Sequence, residues 1–186
     1  MNPFAARLPP RCLYERAMKR FQKSSEADHP NEKEPGGPAK KPVTVLHVDD
    51  DPNDTTLLQV ACAKAAVDFQ LQNIGDGMEV MDYLSGAGKY ADRARYEIPD
   101  LVLLDLKMPR ATGWDILSWI RGHALLKDLP VIVLSGSELQ EDRARAYAVG
   151  ANSYLVKPPN FNSLVSMVKD IGAQLPVLPQ STVGGL

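Results

Sequence analysis

The stretch Val43-Thr44-Val45-Leu46-His47-Val48-Asp49-Asp50-Asp51 decides how this chain folds. It is a short run of mainly apolar and β-branched residues that stops abruptly at three carboxylates. Three more short apolar runs end in a similar way. Residues 100–104 lead into Asp105, 131–134 into Ser135, and 153–156 into Lys157. If these runs are parallel strands alternating with helices, their C-terminal ends lie side by side along one edge of a sheet, where open α/β folds place their sites. A carboxylate cluster, a hydroxyl and an ammonium group then converge on one small pocket, and that combination points to phosphoryl chemistry.

Working outward, the pattern alternates regularly from Val43. Strands are predicted over 43–48, 69–73, 100–105, 131–134 and 153–156. Helices are predicted over 53–67, 78–84, 113–121, 139–149 and 161–171, with a loop over 85–99. Five βα units of this length imply a doubly wound α/β fold, a five-stranded parallel sheet with right-handed crossovers and helices on both faces. No repeat of solenoid type is present.

The chain has 186 residues, 44% of them hydrophobic, enough for one domain with a substantial core. The formal charge of −2 is unevenly spread: residues 1–42 carry nine Lys/Arg against five Asp/Glu, and 43–186 carry twelve against eighteen. A globular part at about −6 is a poor nucleic-acid binder through net charge, so no direct nucleic-acid binding is expected. Cys12 and Cys62 are far apart, and His29, His47 and His123 are scattered without metal-ligand spacing. No apolar run is long enough for a membrane span, and no signal-peptide pattern opens the chain, so a cytoplasmic location is expected.

Residues 1–42 read as a flexible tail, because 24–42 are rich in Pro, Gly, Glu and Lys. Within it, 11–23 has the pattern of a short basic amphipathic helix: Leu13, Ala17 and Phe21 recur every four residues, with Arg16, Lys19, Arg20 and Lys23 on the polar side. Such a helix alone is marginal in water. The globular body is assigned to 43–175, and 176–186, uncharged and holding Pro176 and Pro179, reads as a loose end.

Bringing Asp49, Asp50 and Asp105 together is costly, since like charges at short range repel. A divalent cation relieves that repulsion. All-oxygen ligation without His or Cys suits Mg²⁺, with Mn²⁺ as the alternative. Asp51 has a simpler reading, as a helix N-cap followed by Pro52 at the first helical position. Asp49 and Asp50 could also serve as acids at a helix start, but that leaves Asp105 unexplained.

Four stretches carry a specific resemblance: Val45-Leu46-His47-Val48-Asp49-Asp50-Asp51; Leu103-Leu104-Asp105-Leu106-Lys107-Met108-Pro109 with Gly113; Val133-Leu134-Ser135-Gly136-Ser137; and Gly150-Ala151-Asn152-Ser153-Tyr154-Leu155-Val156-Lys157-Pro158. Together they resemble the receiver domain of two-component response regulators over residues 43–175. The loop over 84–101 is similar to that of single-domain, phytochrome-associated regulators. The resemblance implies a flavodoxin-like sheet with strand order 2-1-3-4-5 and five helices. It implies that Asp105 accepts a phosphoryl group from a histidine kinase or a histidine phosphotransfer protein. Asp49, Asp50, Asp105 and the Lys107 backbone carbonyl would hold Mg²⁺. Ser135 and Lys157 would contact the phosphoryl oxygens, and Tyr154 would be a switch that turns inward when Ser135 is drawn to the phosphate. A cis bond before Pro158 is also implied, as is an output or homodimer face formed by the fourth helix, fifth strand and fifth helix. The expected protein is a signalling module and not an enzyme beyond its own phosphorylation and dephosphorylation.

Two other readings compete with this one. A haloacid-dehalogenase-type phosphatase also uses a strand-end Asp with Mg²⁺, but it needs a second acid two residues after the nucleophile, where this chain has Lys107. A receiver-like binding module that is never phosphorylated would be favoured by an incomplete acid set, and here the set is complete.

Overall fold

The computed structural model describes residues 43–175 except Arg110. The expectations for 1–42, including a helix over 11–23, and for 176–186 lie outside the described residues. The strands are β1 (Val43–Val48), β2 (Phe69–Ile74), β3 (Leu101–Leu104), β4 (Val131–Ser135) and β5 (Ser153–Val156). They alternate with helices α1 (Pro52–Ala65), α2 (Gly77–Ser85), α3 (Gly113–Gly122), α4 (Gln140–Val149) and α5 (Phe161–Gln174). All four strand pairings are parallel, and the sheet order is β2-β1-β3-β4-β5, as expected.

Side chains alternate across each strand, so the sheet divides the interior into two cores. Val45, Leu101, Leu103 and Ile132 point to one face and pack with Leu58 and Ala61 of α1 and Val165, Val168 and Ile171 of α5. Leu46, Val48, Val102, Leu104, Val131 and Val133 point to the other face, where α2, α3 and α4 contribute Val80, Leu84, Ile116, Leu117, Ile120 and Ala146. Strands buried on both faces read as continuous apolar runs, which is why these segments stand out in the sequence.

The helix starts follow local chemistry. Asp51 caps α1 by accepting the Asn53 N–H at 2.8 Å, with Pro52 at the first position. Asp76 and Asn160 cap α2 and α5 in the same manner, and Thr112 with Asp115 forms a capping box at α3. β3 spans Leu101–Leu104, shorter than predicted, although both flanking acids keep a backbone bond to β1, the Asp100 N–H to the Thr44 carbonyl at 2.8 Å and the Asp105 N–H to the Val48 carbonyl at 2.9 Å. Asp100 turns its Oδ2 to the Thr44 N–H at 2.8 Å, and Asp105 faces the strand ends.

The loop after α2 is more ordered than predicted. It holds a 3-10 turn over Gly88–Tyr90, and Tyr83, Tyr90 and Tyr96 stack edge to face at 5.1 and 5.0 Å. Arg93 donates to the carbonyls of Tyr83, Leu84 and Tyr96 at 2.8, 2.6 and 3.0 Å, tying the loop to the end of α2. Among the described residues no peptide bond is cis, so the bond before Pro158 is trans, unlike the expectation. The chain leaves β5 still in register, with the Lys157 N–H donating to the Ser135 carbonyl at 2.8 Å.

Candidate functional site

Strand parity and register assemble the site. Asp49 follows Val45 and His47 on one face of β1, and Asp105 follows Leu101 and Leu103 on the same face of β3. The pairing of Val48 with Leu104 continues by one step through the Asp105 N–H, which donates to the Val48 carbonyl at 2.9 Å. Asp49 and Asp105 therefore emerge side by side. Each is buried, 2% and 6% exposed, while Asp50 is exposed at the rim. One carboxylate oxygen from each of Asp49, Asp50 and Asp105 lies within 4.8 Å of the others.

Lys157, past the end of β5, reaches across the strand ends to this cluster. Its Nζ is 2.8 Å from Asp49 Oδ2, 2.6 Å from Asp54 Oδ2 and 3.7 Å from Asp105 Oδ2. The amine thus leans toward Asp49 and Asp54. Asp49 also accepts the Asp51 N–H at 3.0 Å on Oδ1 and faces His47 Nε2 at 3.5 Å.

The electrostatics of the two buried acids differ accordingly. Burial pushes the Asp49 carboxyl up, but contacts from His47, Lys157 and the Asp51 N–H more than offset it and hold the group at about 2. For Asp105, burial and the nearby Asp49 charge prevail over Lys157 and the backbone N–H groups of Lys107 and Leu106, so its carboxyl is raised above the ordinary value. Burial pulls the Lys157 amine down, and its bonds to Asp49 and Asp54 overcome that and raise it. The lysine stays charged, and Asp105 is the acid it leaves least satisfied.

Close approach after β3 requires glycine at one position. A Cβ on Gly113 would stand 2.1 Å from the Asp105 carbonyl oxygen, and the Gly113 N–H donates to the Leu106 carbonyl at 3.2 Å. The loop between β3 and α3 therefore folds tightly under Asp105.

Ser135 ends β4 fully buried, its Oγ accepting the Ser137 N–H at 3.2 Å. Ser137 in turn donates from Oγ to Asp142 Oδ2 at 2.6 Å. Tyr154 was expected to turn inward in response to a phosphate, yet here its ring is already buried. The interior satisfies both parts of the side chain: the ring packs in the core, and the hydroxyl donates to the Ser137 carbonyl at 2.9 Å. Lys107 is exposed, and its backbone N–H faces Asp105.

The structure thus gathers Asp49, Asp50, Asp105 and Lys157, and places Ser135 at the end of β4, Ser137 in the loop that follows and Tyr154 on the neighbouring β5, bonded to that loop. Sequence reasoning missed Asp54 and His47. Asp54 gave no signal beyond an acid in a first helical turn. His47 had one: it is a polar residue inside an apolar strand, two positions from Asp49 and therefore on the same face.

The donor set fits a hard divalent cation, because three carboxylates converge with one ammonium group to offset them and no sulfur or imidazole lies in the cluster.

Comparison with known proteins agrees with this geometry. The response regulator receiver domain family matches residues 45–169. The response regulator Rcp1 of Synechocystis sp. is 34% identical over 130 residues, spanning 70% of this chain and 86% of that protein. The crystal structure of the phosphorylated cyanobacterial phytochrome response regulator RcpA is 34% identical with a TM-score of 0.67, covering 75% of this chain and 98% of that one. The Mn²⁺-bound form of Rcp1 is 31% identical with a TM-score of 0.64, covering 77% of this chain and all of that one, at 100%. Matched in sequence over most of its length and in the order of its strands, the chain belongs to the response regulator receiver domain family of two-component signalling proteins.

Proposed function

We propose that Asp105 is the phosphoacceptor of a two-component signalling pathway and receives its phosphoryl group from a phosphohistidine on a kinase or phosphotransfer protein. The observation that carries this reading is the buried Asp105 carboxylate at a strand end, beside Asp49 and Asp50 and 3.7 Å from Lys157. In the transfer, an Asp105 oxygen bonds to phosphorus as the N–P bond of the donor breaks, and the imidazole leaves with its electron pair. Little covalent work falls to the protein, so positioning and charge carry the catalysis.

Asp49, Asp50 and Asp105, with the Lys107 backbone carbonyl, would hold Mg²⁺ or Mn²⁺. When bound, the cation neutralises charge on the phosphoryl oxygens. Lys157, already turned to the cluster, supplies a further positive charge to the new acyl phosphate. The Ser135 hydroxyl, which gives up only the Ser137 N–H to reach a phosphoryl oxygen, would draw the β4–α4 loop with it. Tyr154 is tied to that same loop through the Ser137 carbonyl and Asp142 of α4 through the Ser137 hydroxyl, so a change at Asp105 that moves the loop reaches β5 and α4 through these two hydrogen bonds.

Similarity to Rcp1 and RcpA supports a role downstream of a phytochrome-type kinase, in the cytoplasm, with 43–175 as the receiver body. A homodimer through α4, β5 and α5 is part of the same reading. Among the described residues no helix is long and apolar enough to cross a membrane.

Intact mass after incubation with acetyl phosphate and Mg²⁺ tests the proposal. One phosphoryl mass should appear on the wild type, vanish with chelator, and be absent from Asp105→Asn. A phosphoryl group retained by Asp105→Asn would sink the assignment. If the wild type stays unmodified by both acetyl phosphate and a phosphorylated histidine phosphotransfer protein, the chain is a binding module that is not phosphorylated.

A further inference from the structure

The metal acids are supported from behind by a polar chain that the acceptor chemistry does not itself use. His47 is 1% exposed in the middle of an apolar strand. Its ring spans two oxygens: Nδ1 is 2.7 Å from Asn73 Oδ1 and Nε2 is 3.5 Å from Asp49 Oδ2. His47 and Asn73 are direct register partners across β1 and β2. The Thr55 hydroxyl, on the first turn of α1, donates to the same Asn73 oxygen at 3.1 Å. The chain Thr55–Asn73–His47 thus joins α1, the edge strand and the central strand, and it ends on Asp49.

Asp49 carries three contacts from three directions, namely Lys157 and His47 at Oδ2 and the Asp51 N–H at Oδ1. Lys157 cannot fix the carboxylate alone, because it divides its charge among Asp49, Asp54 and Asp105. The imidazole differs in being rigid, buried and braced on its far side.

We infer that His47 is a positioning residue for the metal site: braced by Asn73 and Thr55, its ring holds the Asp49 carboxylate in the orientation that a divalent cation requires. The inference rests on reading the acidic cluster as a metal site. Outer partners of metal-ligating side chains commonly matter in this way, and losing one weakens metal binding by about 10–100-fold. A histidine kept only for packing would give way to an apolar side chain of similar size without effect on the metal.

Calorimetric titration of the full chain with MnCl₂, beside thermal unfolding in chelator, separates the two. His47→Leu should weaken Mn²⁺ affinity by about tenfold or more, and His47→Gln, which keeps a donor of similar reach, should recover most of it. Asn73→Ala, at an exposed position that reaches the acids through His47, should weaken affinity in the same direction. Should His47→Leu not fold, Asn73→Ala and Thr55→Val carry the test on their own. Unchanged affinity in a folded His47→Leu, or in both Asn73→Ala and Thr55→Val, overturns the inference while leaving the metal site standing. Equal impairment of His47→Gln and His47→Leu also overturns it. A wild type that takes up no Mn²⁺ overturns the metal-site reading and this inference with it.

Discussion

The two ends of one sheet are built on opposite electrostatic plans. At the end where strands begin, Asp100, Arg121 and Asn152 are matched by hydrogen bonds to the backbone and to one another. Asp100 and Thr44 exchange two hydrogen bonds, both 2.8 Å. Arg121 donates to the carbonyls of Gly150, Lys127 and Leu129 and to Asn152 Oδ1 at 2.8, 3.1, 2.8 and 2.9 Å. Asn152 Oδ1 also accepts the Val131 N–H at 2.8 Å, closing the starts of β4 and β5 together. At the end where strands finish, Asp49, Asp54 and Asp105 share Lys157, and Asp50 adds a further carboxylate to the cluster. The first end spends its polar groups on holding loops. The second keeps charge of one sign in excess, which costs stability and leaves the site able to attract a cation.

The difference can be tested by disturbing each end in turn. Arg121→Ala should be the most damaging to the fold, since four acceptors lose their donor. A loss on the order of 3 kcal/mol, or about 10 °C in the melting temperature, is expected. Mn²⁺ affinity of the folded variant should remain near wild type, and a large loss there would show that the two ends are not independent.

Asp105→Asn should have the opposite sign. It removes the acid whose carboxyl is raised by burial and by Asp49, so in chelator the variant should be more stable than wild type at neutral pH. The pH dependence in chelator follows. A raised carboxyl holds its proton more tightly folded than unfolded, so the wild type should gain stability as pH falls through the folded value of Asp105. The contribution of Asp49, held at about 2, is complete above the ordinary value of 3.8 and disappears as pH falls toward 2. Urea midpoints taken from pH 7 down to 3 should therefore rise before they fall for the wild type. For Asp105→Asn the rise should be missing.

The smallest effect concerns neither end directly. Ala66 closes α1 at φ 50°, the left-handed region that a Cβ disfavours. Ala66→Gly should raise stability by about 0.5 kcal/mol, the relief of strain exceeding the added freedom of the unfolded chain, with metal binding unchanged. A lower urea midpoint would show that the left-handed turn is not strained in this protein.

Much of this molecule was legible before its fold was known. β1, β3 and β4 and the residues at their ends could be read because buried parallel strands produce short, continuous apolar runs, and a charge directly after such a run has few purely structural explanations. The cap at Asp51 is local and equally readable. The loop over 85–99 was harder, because Arg93 and the three stacked tyrosines act across separations that no local pattern reveals.

Which groups stand at the strand ends follows from the chain alone, since a period of two and a hydrophobic run are properties of neighbours along it. How those groups share their charges follows from the packed fold. Lys157 lies nearer Asp49 and Asp54 than Asp105, Tyr154 is buried against the Ser137 carbonyl, and His47 stands between Asn73 and Asp49. Hydrogen bonds and ion pairs are settled by distances of a few tenths of an ångström between residues as many as 108 positions apart, and only the packed sheet brings such residues to those distances.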